Sequence, residues 1–292
     1  RPTELRTLPI SIKRGVIEQK AVSSRLITPS TLSASVVGNR KIGVIKIQSF
    51  LYAKKDTSRL ITGEYENLLV EAEGKLDGLV LDLRGNPGGY LEEAVEVTDL
   101  FLPRNKVVVN IRGMGDFKQE RTRRRPLVKD TPIIVLIDAG SASASEIVAS
   151  ALMDHNRALV VGERSFGKAT VQGIEPVGDI LVKLTSARYY APRGYTVQVY
   201  GVQPDVQISD QFDGSFPPRF REEDMWKHLP ELDQRSPDAA RDTWVQQLKQ
   251  DVGENDSAEQ YLEKHKNDAL KPDFMLIRAL TYFSVLEKNP LP

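Results

Sequence analysis

The sequence predicts an α/β protein built around a largely parallel sheet, and three observations carry that expectation. Three runs of strand length are apolar almost throughout: GLVLDL at 78–83, PIIVLID at 132–138 and ALVVGE at 158–163. A strand of that kind must be covered on both faces, as in a parallel sheet enclosed by other layers. Helical spacings stand between these runs, so strands and helices alternate along the chain.

In order, residues 8–33 read as two short strands around the turn Arg14-Gly15. KIGVIKIQSF (41–50) alternates apolar and polar side chains as a half-buried strand does. The segment 57–76 has helical spacing, with Leu68, Leu69, Ala72 and Leu76 on one face. After GLVLDL and a glycine-rich turn, LEEAVEVTDLFL (91–102) is an amphipathic helix ended by Pro103. KVVVNIRG (106–113) is a strand, and 116–130 reads as a polar, basic loop. SEIVASALMDHN (145–156) is a helix. SFGKATVQGIEPV (165–177) is a loop leading into a strand, and ILVKLTSARYYAPRG (180–194) carries another. Composition shifts near 207 to a polar, Pro-rich stretch, followed by three expected helices at about 238–251, 257–270 and 273–287. The last has Asp273 as its cap and a stripe of Leu276, Leu280 and Phe283, fit either to dock on the chain's own core or to form a dimer face.

The 292 residues suffice for one large or two ordinary domains. Lys plus Arg and Asp plus Glu number 40 each, a balance that gives no reason to expect a nucleic acid or an anionic surface as partner. RTRRRP (121–126) reads accordingly as a solvated loop. With no cysteine, disulfides, thiol nucleophiles and thiolate metal sites are excluded. No apolar stretch approaches the roughly 18 residues of a membrane span. The opening RPTELRTLPISIK has neither the pattern of a signal peptide nor an initiator Met, and is expected to belong to a mature or trimmed chain.

In open parallel sheets, ligands gather beyond the carboxyl ends of the strands. Two such ends have unusual sequences: RGNPGGY (84–90) and AGSASASE (139–146). Paired glycines usually punctuate a turn, but they also let another backbone approach closely. One of the serines 141, 143 and 145 suffices as an N-cap, which leaves two over. A serine in a first helical turn also gains the positive end of the helix dipole and a neighbouring N–H for a developing oxyanion.

Such a serine needs a base. His228 and His265 lie in the polar C-terminal region, and His155 is a helix length from the serines. Most of the chain's lysines fall in polar, solvated stretches, whereas Lys168 is flanked by Phe166, Gly167 and Ala169 just past a buried strand. To act near neutral pH it must fall by roughly three units from ~10.4, about 4 kcal/mol, within what burial achieves. Gln172, four residues on, is placed to orient the amine.

With these residues in view, the chain resembles the C-terminal processing peptidases, the tail-specific Ser-Lys family S41 of bacterial envelopes and thylakoid lumens. Four ordered motifs carry the resemblance over residues 42–206: GLVLDLRGNPGG, GSASASEI, NRALVVGERSFGKATVQ and YYAPRG with GVQPDV. It implies a ClpP/crotonase-like β-spiral core with a strand-and-helix cap, extended here by C-terminal helices. The expected division is 1–35 as remnant PDZ-like or cap strands, 36–206 as peptidase core and 207–292 as a helical region. TLPISIKRGVIEQKAVSSRLI (7–27) resembles the last strands of a PDZ domain, without that domain's carboxylate-binding loop.

The resemblance makes Ser143 the nucleophile, Lys168 the base and Gln172 the third member, with spacings of 25 and four residues. It assigns the oxyanion N–H groups to Ala144 and to Gly88 or Gly89, with Ser141 and Ser145 capping and packing. Asp154 matches a supporting acidic position. The implied activity is endoproteolysis through an acyl-enzyme, with substrates recognised near their C-termini and neither metal nor cofactor required. Expected partners are protein or peptide substrates, with room for an adaptor or activator protein and for a homo-oligomer. The expected location is the bacterial periplasm or envelope. Two rivals share the fold: a non-catalytic binding module, and a CoA-thioester enzyme, which would leave Lys168 without a role.

Overall fold

The computed structural model describes residues 20–32, 34–51, 56–113, 115–209, 211, 215–232, 234–253 and 273–292. The first strand expected before residue 20 and the helix expected at 257–270 lie outside the described residues. A six-stranded sheet forms from β1 (Val22–Ile27), β2 (Ile42–Ile47), β3 (Gly78–Asp82), β6 (Ile133–Ile137), β7 (Ala158–Gly162) and β10 (Val206–Gln207), in that spatial order. β1 runs antiparallel to β2, and the remaining neighbours are parallel.

The apolar runs alternate between two cores, because successive side chains of a strand point to opposite faces. Leu79, Leu81, Ile133, Val135, Ile137 and Val160 enter one cluster; Val80, Ile134, Leu136, Leu159 and Val161 enter the other. The first face is covered by α2 (Thr57–Glu71), α3 (Leu91–Asp99) and α4 (Ala144–Asp154). The second is covered by α1 (Ala34–Val37), α5 (Ala239–Val252), α6 (Phe274–Thr281) and α7 (Phe283–Leu286). The stripe Leu276, Leu280 and Phe283 is therefore docked on the chain's own sheet. Its single expected helix breaks at Tyr282 into two.

A second sheet, antiparallel throughout, has the order β5 (Phe117–Arg121), β4 (Val107–Gly113), β9 (Ile180–Tyr190) and β8 (Thr170–Val177). Here the sequence reading needs correction. Residues 117–121 were expected in a loop, yet FKQER pairs along β4 because an antiparallel edge needs no apolar face to satisfy its backbone. The basic run that follows is held to α3: Asp99 accepts from the Arg123 and Arg124 N–H groups, and the Arg124 guanidinium pairs with Glu96 at 3.0 Å. β8 and β9 extend as a long hairpin whose far half is exposed, with Ile174, Val177, Ile180, Leu181 and Leu184 open to solvent. Among the described residues no helix is long and apolar enough to cross a membrane.

Candidate active site

The ends of β3, β6 and β7 bring three loops together. Loop 83–90 is pinned by its own arginine: Arg84 forks between Asp82 and Asp273, with its Nη1 2.6 Å from Asp273. Asp273 also caps α6 by accepting from Leu276 N–H, so the C-terminal helix is tied to the glycine turn. Asn86, fully buried, donates to the Ile47 carbonyl and accepts from Gly88 N–H at 2.9 Å.

The serines divide their work. Ser141 donates to the Leu83 carbonyl and accepts from Asp138 N–H, while Ser145 donates to the Asn86 carbonyl. Both stitch the serine loop to the glycine loop. Ser143 occupies the N-cap position of α4 with φ 56° and ψ −114°, a conformation rare for a residue with a Cβ. Such a backbone costs about 1–3 kcal/mol and persists only where its surroundings enforce it.

Glu146 supplies much of that enforcement. Wholly buried, its carboxylate accepts from Ser143 N–H at 2.8 Å, Ser165 Oγ, Gly167 N–H at 2.7 Å and Lys168 N–H at 2.9 Å. One side chain thus joins the serine loop to the lysine loop. Burial pushes its carboxyl up to about 7, while the four donors favour the anion. Sequence reasoning passed over Glu146, although Ser143-Ala144-Ser145-Glu146 has the spacing of a capping box. Tyr189 was missed as well. Its buried hydroxyl lies 3.1 Å from the Ser143 carbonyl oxygen and also contacts the Lys168 carbonyl oxygen.

Ser143 and Lys168 line one cavity of about 350 Å³, together with Gly89, Ala144, Gln172, Lys183 and Tyr189. Lys168 is half-buried. Desolvation pulls its ammonium below the ordinary lysine value and Lys183 adds to the effect, against the opposing carboxylates of Glu222 and Glu146. No hydrogen bond joins Ser143 Oγ to Lys168 Nζ among the described residues. Gln172 is on the cavity wall in β8, but its amide donates to Thr185 Oγ1 at 3.1 Å rather than to Lys168.

The glycine pair separates into two roles. Gly88 N–H is taken by Asn86, and a Cβ at Gly88 would lie 2.9 Å from Ala144 N, so its bareness permits close approach to the serine turn. Gly89 N–H and Ala144 N–H have no intramolecular acceptor among the described residues, and both residues line the cavity. Asp154 is not brought to this site. It ends α4, roughly 15 Å of helix from Ser143. There it is buried against Arg235, Tyr195 Oη and Arg193 N–H.

A parallel-sheet core with a strained serine, a half-buried lysine and two unengaged N–H groups around one cavity defines a class of protein equipped for nucleophilic chemistry at a carbonyl. The comparisons specify it further. The model of "Peptidase family S41" matches residues 41–208, and this chain belongs to that family. It is 41% identical over 203 residues to a carboxy-terminal-processing protease of Bartonella bacilliformis, covering 69% of this chain and 44% of that protein. It is 36% identical over 203 residues to a probable CtpA-like serine protease of Staphylococcus aureus, covering 68% and 39%. Its fold matches the solved photosystem II D1 C-terminal processing protease with a TM-score of 0.58 and 29% identity, over 66% of this chain and 49% of that one. The chain therefore spans less than half the length of each of these proteins.

Proposed function

We propose that this chain is the catalytic core of a serine endopeptidase of the C-terminal processing kind, acting through Ser143 and Lys168. The observation that carries the reading is the strained Ser143 facing the same cavity as a lysine whose ammonium is disfavoured by burial. Neutral Lys168 takes the proton from Ser143 Oγ as that oxygen attacks a peptide carbonyl. The Ala144 and Gly89 N–H groups receive the oxyanion, the donors expected for a nucleophile at a helix N-terminus. The Lys168 ammonium then protonates the leaving amine, and water hydrolyses the acyl-enzyme. Gln172 would join Lys168 once substrate or a loop movement closes the cavity, since such sites often complete themselves on binding.

Substrates in this reading are protein tails, in keeping with the names of the relatives, and the cell envelope is the compartment where they would be met. The test is cleavage of casein between pH 6 and 9 by the parent chain, Ser143→Ala and Lys168→Ala. Loss in both variants, with a parent rate that rises with pH to a midpoint below the ordinary lysine value of 10.5, is the expected outcome. Cleavage that survives Lys168→Ala would sink the assignment of the base.

A further inference from the structure

The loop that carries Lys168 lies within the S41 match, but much of what holds it does not. Residues 219–229 follow the matched region and run across the back of this loop. Buried Arg221 donates from Nη1 to two successive carbonyls, those of Arg164 and Ser165, the latter at 2.8 Å. The next carbonyl, of Phe166, accepts from Glu222 N–H at 3.2 Å. Three consecutive loop carbonyls are thereby satisfied from one strap.

The strap is itself locked in place. Asp224 accepts from Arg221 N–H, Glu223 pairs with Arg164, and the Phe220 ring packs 6.4 Å from that of Phe166. Fully buried Gln198 closes the circuit. It accepts from Ala169 N–H at 2.8 Å and donates to Glu222 Oε1 at 2.9 Å and to the Leu229 carbonyl. The carboxylate of Glu222 is thus buried behind the Lys168 loop rather than left on the surface.

We propose that this strap is part of the catalytic apparatus, with Arg221 a positioning residue that fixes the Lys168 loop and Glu222, bonded to Phe166 of that loop and to Gln198, the buried carboxylate that couples the strap to Lys168. The inference rests on the Ser-Lys reading above and adds to it a control element outside the family region. Burial acts most on Lys168 and disfavours its ammonium; of the three charged groups that act on it, Lys183 from β9 also opposes the ammonium, while Glu222 from the strap and Glu146 from α4 favour it. Tyr189, also from β9, stays protonated and holds the lysine's carbonyl. Because Glu222 is anchored through Gln198 to the backbone on the far side of Lys168, a shift of the strap changes the position and the charge of the base together.

The test combines two readouts on the full chain. Lysine labelled with ¹³C at Cε is titrated by NMR, with the Lys168 signal assigned through Lys168→Ala, in the parent, Glu222→Gln, Arg221→Lys and Arg221→Met. Casein cleavage is followed across the same pH range. In Glu222→Gln the Lys168 midpoint is expected to fall by about half a unit or more, with the acid limb of kcat/KM moving by the same amount. Arg221→Met is expected to lower kcat about tenfold with KM little changed, and Arg221→Lys to restore part of it. A folded Glu222→Gln variant whose Lys168 titrates as in the parent overturns the inference whatever its rate. A Lys168 midpoint that moves while Lys168→Ala still cleaves casein overturns the Ser-Lys reading instead, and with it the strap's catalytic role.

Discussion

The two loops that meet in the cavity are held in opposite ways. The serine loop is fastened mainly to one other loop: Ser141 and Ser145 bond to the Leu83 and Asn86 carbonyls of the glycine loop, and the turn is closed by Asp138 and by α4 itself. The lysine loop is fastened by several separate segments: by Arg221 and Glu222, by Gln198, and by Tyr189 on the antiparallel sheet. Glu146 and Tyr189 each grip both. The difference shows how a strained serine can be held in one strand-to-helix turn, whereas a lysine whose ammonium is disfavoured by burial needs walls drawn from several parts of the chain. Burial, unlike a cap, cannot be supplied locally.

That contrast breaks first at Glu146. Glu146→Gln replaces an acceptor for four donors by an amide that must turn its own N–H₂ toward some of them. We expect kcat for casein to fall about a hundredfold with the fold retained, as judged by circular dichroism. The same variant has a thermodynamic signature. The native value of Glu146, about 7, lies above the ordinary 4.5, so the folded state holds its proton more tightly than the unfolded chain. Its contribution to stability is greatest below 4.5 and is lost as pH rises through 7. Urea midpoints at pH 5 and 8 should therefore show the parent losing up to about 3 kcal/mol relative to Glu146→Gln.

A smaller effect is expected at the second bridge. Tyr189→Phe removes the hydroxyl beside the carbonyls of Ser143 and Lys168, and should lower kcat about tenfold while leaving the Ser143 cap in place. A drop as large as that of Glu146→Gln would mean that the two loops depend on Tyr189 equally. The smallest effect on catalysis belongs to Asp154. Asp154→Asn weakens a buried pairing with Arg235 at the far end of α4. It should cost about 1–3 kcal/mol in a thermal melt yet change kcat/KM less than twofold. A tenfold loss of kcat/KM in a folded variant would bring Asp154 into the site after all.

Much of this was legible beforehand, and for particular reasons. The runs at 78–83, 132–138 and 158–163 declared a two-faced sheet because their apolar side chains enter a core on each face. The serine run 141–145, Lys168 and the glycine pair stood out by type and position, and the family resemblance singled out Ser143 and Ala144. β5 could not, since FKQER gains its place from backbone pairing with β4 and not from burial. Gly88 and Gly89 look alike in sequence. They part only because Asn86 folds back onto one N–H and leaves the other toward the cavity. Gln172 reads as a partner of Lys168 by its four-residue step, yet a register shift between Val171 and Gln172 sets its amide against Thr185.

By itself the sequence determined the parallel core, the order of the site motifs and the residue types able to attack and to accept a proton. These depend on hydrophobic periodicity and on spacing along a strand-to-helix turn, which are local quantities. Tertiary structure alone decided that Glu146 binds both loops, that Gly89 rather than Gly88 keeps its N–H unengaged, and that residues 219–229 brace the loop of Lys168. Those outcomes come from satisfying buried polar groups across large separations in the chain, and no local pattern records which distant donor will meet which carbonyl.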